Sequence, residues 1–292
     1  MGAPDGERAA AYGPAAPLTP VPPQPPAPDG VTPAHGAEHV PGSAFPPPAL
    51  PPVGPAGAPD GPPRRTHRWG LGAYVVVEAV FIGVSLLIAF AFVGERLSVG
   101  ALTIALTVPT VLAAGTAVVI TQVRGNGPRA DLGLVWSWHD VGVGAAYGFG
   151  GLVLTIPASL LYVILVGPES ASSAIGDVFA GLRAGPVAAI GVALVVVVLA
   201  PICEEIVYRG LLWGALERYA VPRWVPFVVT TLLFAVAHFE FTRTPLLFVV
   251  ALPIALARLR TGRLLASVVA HQVNNLLPGV VLAMALLGVA PV

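Results

Sequence analysis

Residues 192–216 read "VALVVVVLAPICEEIVYRGLLWGAL" and place two adjacent glutamates inside one of the most apolar stretches of the chain. An ionisable side chain in a membrane span is costly and is a functional hypothesis by default. On a helix, Glu205 and Arg209 share a face and can form an ion pair, whereas Glu204 points about 100° away and lacks that partner. The spacing predicts a structural ion pair and an available carboxylate at Glu204. The alternative is a polar helix end in water, which the apolar residues after Arg209 disfavour.

The composition is typical of an integral membrane protein. Of 292 residues, 55% are hydrophobic and 10% are charged, against roughly a quarter charged in soluble domains. The formal net charge is zero, so nothing indicates a nucleic-acid partner. All basic residues are arginines, and Ala, Gly and Pro are abundant. We therefore expect a multi-pass protein of a bacterial plasma membrane.

Residues 1–67 form a separate low-complexity segment, with runs such as "PPQPPAPDG". Proline at this density blocks helix and sheet, which predicts a disordered Pro/Ala/Gly-rich cytoplasmic tail. A spacer is the simplest interpretation, and a ligand for a cytoplasmic partner with a proline-binding domain is the alternative. Residues 68–292 are predicted to form the transmembrane domain.

The transmembrane domain is predicted to be all-α, a polytopic membrane helix bundle of about eight transmembrane helices. The predicted spans are 69–93, 98–121, 140–166, 185–216, 224–241, 244–257, 264–277 and 279–290. Alternating these spans collects most arginines on one side, which the positive-inside rule makes cytoplasmic. An even number of spans then puts both termini in the cytoplasm.

Two further apolar segments carry isolated polar side chains. In "FAVAH", Phe234 and His238 lie one helical turn apart, and in "AHQVNN" His271 and Asn275 have the same spacing. A lone histidine is usually a satisfied core residue, and the second group could be an interhelical hydrogen-bond patch. Together with Glu204, however, these residues could supply a general base, an imidazole and oxyanion donors in one buried cavity.

The ordered set EExxxR, FxxxH and HxxxN, on consecutive membrane segments, resembles the signature of the CPBP intramembrane proteases. This family includes type II CAAX prenyl endopeptidases and the bacteriocin-processing or self-immunity proteins called Abi. The resemblance covers residues 130–278 and implies an intramembrane endopeptidase that acts on a membrane protein or peptide within the lipid bilayer. A prenylated substrate is not expected in a bacterium.

The resemblance also implies roles for individual residues. Glu204 would activate water, His238 would position it or share its proton, and His271 with Asn275 would stabilise the oxyanion. Phe234 supports the motif, while Glu205 and Arg209 hold the architecture. We favour glutamate-type catalysis without a cofactor. A zinc ion held by Glu204, His238 and His271 is the alternative, although the HExxH motif is absent.

Two other classes of function fit the same residues. A proton-coupled transporter could use the glutamate and histidines as a relay. A non-catalytic membrane scaffold could retain the motifs without cleaving anything. The fixed order of the three motifs disfavours the transporter, and the presence of all four residues Glu204, His238, His271 and Asn275 disfavours the scaffold, so the protease is the leading hypothesis.

Overall fold

A computed structural model describes residues 67–167 and 171–289 of the chain. Every regular element in these residues is helical, which confirms the predicted all-α bundle. The predicted tail, apart from His67, lies outside the described residues.

Nine helices follow one another in the described part of the chain. One of them, α6, is continuous but alternates between α-helical and π-helical stretches. Six are long and apolar enough to cross a membrane, and α7 is a shorter apolar helix. Their bounds are α1 Leu71–Ala91, α2 Val99–Arg124, α3 Pro128–Asp131, α4 Trp138–Val166, α5 Ala174–Phe179, α6 Pro186–Glu217, α7 Trp224–Val236, α8 Thr244–Thr261 and α9 Leu264–Leu286.

The arginine-rich end of the bundle is held together by contacts between segments far apart in sequence. Arg218 Nη1 donates to the carbonyl of Trp69 over 2.6 Å, which ties the end of α6 to the start of α1. Arg263, just before α9, lies 3.3 Å from the buried carboxylate of Asp140 near the start of α4. Trp69 Nε1 donates to Asp131 over 3.2 Å and the amide of Leu264 donates to the carbonyl of Gly133 over 3.3 Å, so the segment around α3 joins both contacts at one end of the bundle.

The predicted division of the last apolar region into two spans, 264–277 and 279–290, was wrong. A single helix, α9, runs from Leu264 to Leu286 with Pro278 inside it. Proline removes only one backbone donor, and membrane helices tolerate it because neighbouring groups satisfy the freed carbonyl. The described chain therefore has six long spans and the short α7, rather than about eight.

This correction changes the expected position of the carboxyl end. The amide of Ala184 donates to the carbonyl of Leu286 over 2.9 Å, and Arg183 Nη1 donates to Ala285 O over 3.0 Å. The end of α9 thus lies beside the segment that precedes α6, at the end opposite to Trp69. The two ends of the described chain, His67 and Val289, therefore lie at opposite ends of the bundle, while the termini themselves lie outside the described residues.

Close packing of α4 against α8 and α9 depends on glycine. A Cβ atom on Gly144 would lie 2.5 Å from the carbonyl of Ala266, and one on Gly148 would lie 2.6 Å from Val273 Cβ. Small residues let membrane helices approach closely and gain dispersion contacts along their length. The close contacts at Gly144 and Gly148 hold α9, which carries His271 and Asn275, against α4.

Helix α6 is wound in an unusual way on both sides of the two glutamates. Val195–Leu199 and Ile206–Leu212 are π-helical, and the α-helical turn Ala200–Glu205 lies between them. Pro201 has no backbone N–H, so the ordinary hydrogen bond is missing at this point of the helix. Single π-helical turns occur frequently at functional sites, and here they set the directions in which Glu204 and Glu205 point.

Helix α7 is too short to cross a membrane alone. Its 13 residues span about 20 Å at 1.5 Å per residue, against roughly 30 Å for the hydrocarbon core. The predicted span at 224–241 was therefore too long, and the helix ends at Val236. His238 lies two residues beyond this end, in the turn that follows the helix.

Candidate active site

Glu205 and Arg209 form a buried ion pair at the centre of α6. Arg209 Nη1 lies 3.0 Å from Glu205 Oε1, and both side chains are fully buried. The guanidinium also lies over the ring of Phe234, with Cζ 4.5 Å from the ring centroid. The pair is thereby fixed from two helices, because Arg209 is held by α6 and by α7 together.

His271 contacts both glutamates. Its Nδ1 lies 3.0 Å from Glu205 Oε1, and its Nε2 lies 3.8 Å from Glu204 Oε2. An ionised carboxylate can only accept a hydrogen bond, so Nδ1 carries a proton when Glu205 is paired with Arg209. This leaves Nε2 directed toward Glu204. The imidazole therefore links the structural carboxylate to the available one, in the way that an orienting acid holds a catalytic histidine.

Glu204 is the more accessible of the two carboxylates. Its side chain is 27% exposed, whereas that of Glu205 is fully buried. Arg209 pairs with Glu205 rather than with Glu204. A carboxylate that is free of an arginine and open on one side can accept a proton from water or substrate.

Phe234 is the common contact of the site. Its ring packs edge-on against His238 at 4.8 Å, His271 at 5.5 Å and Tyr208 at 5.4 Å between centroids. Nδ1 of His238 lies 2.8 Å from the backbone carbonyl of Phe234, which can only accept, so this nitrogen is the donor. The other nitrogen of His238 is then the one available for chemistry.

Asn275 lies one turn beyond His271 on α9 and contacts α6. Its amide Nδ2 donates to the carbonyl of Val196 over 3.1 Å. A side-chain amide has two N–H groups, so one donor remains for another acceptor. Asn274 is buried beside it, and its Oδ1 has no hydrogen-bond partner among the described residues.

The alternative of a zinc site concerns Glu204, His238 and His271. In the segments 67–167 and 171–289, no three His, Cys, Asp or Glu side chains converge as a set that could hold a metal ion. With its Nδ1 proton directed to Glu205, neutral His271 has the lone pair of Nε2 on the side of Glu204, and a carboxylate-oriented histidine of this kind can also be a metal ligand. No step of the reaction is assigned to a metal, and the chelator experiment below decides between the two mechanisms.

Sequence reasoning gave no role to two residues beside these elements. Tyr208 follows Glu204 by four residues on α6, and its ring packs edge-on against Tyr74 of α1 at 6.1 Å between centroids. Glu78 lies one turn after Tyr74, and the signal was present in the sequence, because Glu78 is the only charged residue in the helix Leu71–Ala91. It was overlooked because the recognised motifs all lie after residue 200.

Comparison with known proteins covers the segment that carries the site. Residues 186–277 match the family model described as type II CAAX prenyl endopeptidase Rce1-like. A curated protein of Escherichia coli, described as an uncharacterized 24.3 kDa protein, is 35% identical over 83 residues. That alignment covers 27% of this chain and 38% of the Escherichia coli protein. No solved structure matches the chain significantly. All the predicted site residues lie inside the matched segment 186–277.

Proposed function

We propose that this multi-pass membrane protein hydrolyses peptide bonds with water activated by Glu204. The premise is that residues 186–277 match an Rce1-like family model, and this family resembles the CPBP intramembrane proteases. The observation that carries the proposal is the position of His271 between the two glutamates. Glu205, neutralised by Arg209, orients the imidazole, and the imidazole faces the one carboxylate that remains open.

The proposed reaction needs a base that activates water, donors that stabilise the oxyanion, and an acid that protonates the leaving amine. Glu204 takes a proton from a water molecule, and the resulting hydroxide attacks the carbonyl carbon of the scissile peptide bond. The free N–H of Asn275 and the protonated His271 stabilise the negative oxygen that develops. Stabilisation of this kind typically contributes more to the rate of acyl transfer than any other single effect. The C–N bond then breaks as the amine nitrogen receives the proton from Glu204.

His238 is proposed to position the attacking water. Its Nδ1 is engaged by the Phe234 carbonyl, so its Nε2 is the acceptor in the neutral imidazole. An acceptor beside Glu204 can hold the second hydrogen of the water and so orient the attacking lone pair. The position of Phe234 supports this role, because its ring contacts His238 at 4.8 Å and His271 at 5.5 Å between centroids.

The proposed substrate is a membrane-associated protein or peptide that reaches the site from the lipid bilayer. We place the arginine-rich end of the bundle in the cytoplasm of a bacterial cell, in line with the positive-inside rule. The end of α9 then faces away from the cytoplasm. The Pro-rich segment is proposed to be a spacer or a binding segment on the cytoplasmic side.

The test is cleavage of tagged single-span membrane peptides by purified protein in lipid nanodiscs. Wild type is compared with Glu204→Gln and with the control Glu217→Gln, which alters a carboxylate at the end of the same helix. We expect Glu204→Gln to abolish cleavage, with Glu217→Gln and chelator leaving it unchanged. Loss of cleavage with chelator would indicate a metalloprotease. Equal cleavage by wild type and Glu204→Gln would refute the proposed base.

A further inference from the structure

Pro201 is a residue of α6 whose position the proposed reaction leaves unexplained. It lies two residues after the π-helical turn Val195–Leu199. The amide of Ala200 donates to the carbonyl of Val195, five residues earlier, as in a π-helix. The next amide in that series would be that of residue 201, and it would reach the carbonyl of Val196. Proline has no N–H, so this hydrogen bond cannot form.

The Val196 carbonyl is therefore left to find a donor on another helix. In an α-helix the amide of Ala200 would reach it, but that amide is directed to Val195. An unpaired carbonyl is costly in a membrane, because no water is present in the hydrocarbon to bond it. Helix α9 provides the donor, because Nδ2 of Asn275 lies 3.1 Å from the Val196 oxygen. A side chain of one helix thus replaces the N–H that proline removes from another.

The same face of α9 contacts α6 over three successive turns. Nε2 of His271, one turn before Asn275, lies 3.8 Å from Glu204 Oε2. Gly279, one turn after Asn275, packs so closely on the π-helical turn that a Cβ atom there would overlap Val197 Cγ2. The hydrogen bond of Asn275 therefore lies between a close backbone contact and the contact that carries the proposed base.

We propose that Pro201 is a positioning residue for the proposed oxyanion donor Asn275. Because it withholds an N–H, it leaves the Val196 carbonyl to the side-chain amide of Asn275. This hydrogen bond commits one N–H of the amide and limits its rotation, so the second N–H has a defined direction for the developing oxyanion. The inference rests on the proposed function, because it assigns Pro201 a role in that same reaction.

Restoring the missing N–H should loosen Asn275 without harming the fold. In Pro201→Ala the new amide can donate to the Val196 carbonyl, which then no longer depends on Asn275. A carbonyl has two lone pairs, so the side chain is not excluded, but it competes with a backbone donor and is held less firmly. We expect kcat to fall about three- to tenfold, with KM changed less than about twofold. The midpoint of thermal unfolding should not fall, because the helix gains a hydrogen bond.

A double-mutant cycle tests whether Pro201 acts through Asn275. Asn275→Ala removes the donor, so Pro201→Ala then has nothing left to loosen. The double variant should therefore match Asn275→Ala in kcat within about twofold. The matched control is Pro157→Ala, which replaces an exposed proline inside α4 and should behave as wild type. The inference is overturned if the losses of Pro201→Ala and Asn275→Ala multiply, or if Pro201→Ala keeps the kcat of wild type.

A spectroscopic measurement decides the hydrogen-bond assignment even if wild type cleaves no peptide. The chain has three asparagines, Asn126, Asn274 and Asn275, so ¹⁵N labelling at asparagine gives three side-chain amide signals, and Asn275→Ala assigns the relevant one. We expect Pro201→Ala to shift the Asn275 amide signal, and Pro157→Ala to leave it in place. An Asn275 signal that ignores Pro201→Ala would refute the inference. The expected shift without cleavage by wild type would support the assignment and count against the proposed function instead.

Discussion

Removal of Arg209 should destabilise the protein strongly, and removal of its partner at the same time should reverse most of that effect. Both side chains of the pair are fully buried, at a separation of 3.0 Å. Arg209→Met leaves the Glu205 carboxylate buried without its cation, which typically costs about 3–5 kcal/mol. Loss of the cation–π contact with Phe234 adds about 1 kcal/mol. We expect Arg209→Met to lower the free energy of unfolding by about 4–6 kcal/mol in total.

The double variant Glu205→Leu/Arg209→Met removes both charges and leaves apolar groups of similar volume. Such replacements are often neutral or stabilising, so its stability should return to within about 1–2 kcal/mol of wild type. Its proteolytic activity should stay lost, because His271 then has no carboxylate to orient Nδ1. Stability and activity would thereby be separated in one variant.

The assay is reversible unfolding in mixed micelles, followed by circular dichroism, with cleavage measured on the same samples. Arg243→Met is the matched control, because Arg243 forms a 2.5 Å pair with Glu240 in which both side chains are partly exposed, at 17% and 16%. It should cost less than Arg209→Met, because the Glu240 carboxylate keeps some contact with solvent when its partner is removed, whereas the Glu205 carboxylate has none. If the double variant is less stable than Arg209→Met, the desolvation reasoning is refuted.

Three further predictions concern packing, the oxyanion donor and orientation. Gly148→Ala should lower the free energy of unfolding by about 1–3 kcal/mol, because the new Cβ would lie 2.6 Å from Val273 Cβ. Gly150→Ala should leave stability unchanged, because no atom lies within 4 Å of its new Cβ. Thermal unfolding of both variants checks this prediction. Asn275→Ala should lower kcat about 10²–10³-fold while changing stability by only about 0.6 kcal/mol, the usual worth of one interhelical hydrogen bond in a membrane. Parallel losses of stability and activity in that variant would contradict a catalytic role. A phosphatase reporter fused to the carboxyl end should be active outside the cytoplasm, and a reporter fused to the amino end should not; the reverse pattern would contradict the proposed orientation.

The local features of the site could be predicted from the sequence because they depend on helical spacing. The four-residue interval between Glu205 and Arg209 predicts their contact, since residues one turn apart are neighbours on any helix. The same interval predicts that Phe234 lies beside His238. The family motifs add the expectation that these segments meet, and residues 186–277, which contain the motifs, match an Rce1-like family model.

Contacts between helices could not be predicted in this way. Nothing in the spacing indicates that Tyr74 on α1 meets Tyr208 on α6, because their approach depends on how the two helices pack. The π-helical turns around Glu204 depend likewise on which carbonyls neighbouring groups satisfy. The continuity of α9 was missed because Pro278 followed by Gly279 usually ends a helix in soluble proteins, whereas a bundle in lipid favours the continuous hydrogen-bonded form.

The early end of α7 has a consequence for the supply of one reactant. Hydrolysis consumes a water molecule, and the hydrocarbon interior of a bilayer holds almost none. After Val236 the chain continues as a turn that carries Glu240 and Arg243, which remain paired and only slightly exposed. Because this turn is polar and follows so short a helix, we expect it to draw the aqueous boundary toward His238 and so to shorten the path of water to the site. The short length of α7 is therefore expected to admit water to the site. Extending α7 by a few apolar residues should reduce the access of water, the second substrate of the hydrolysis.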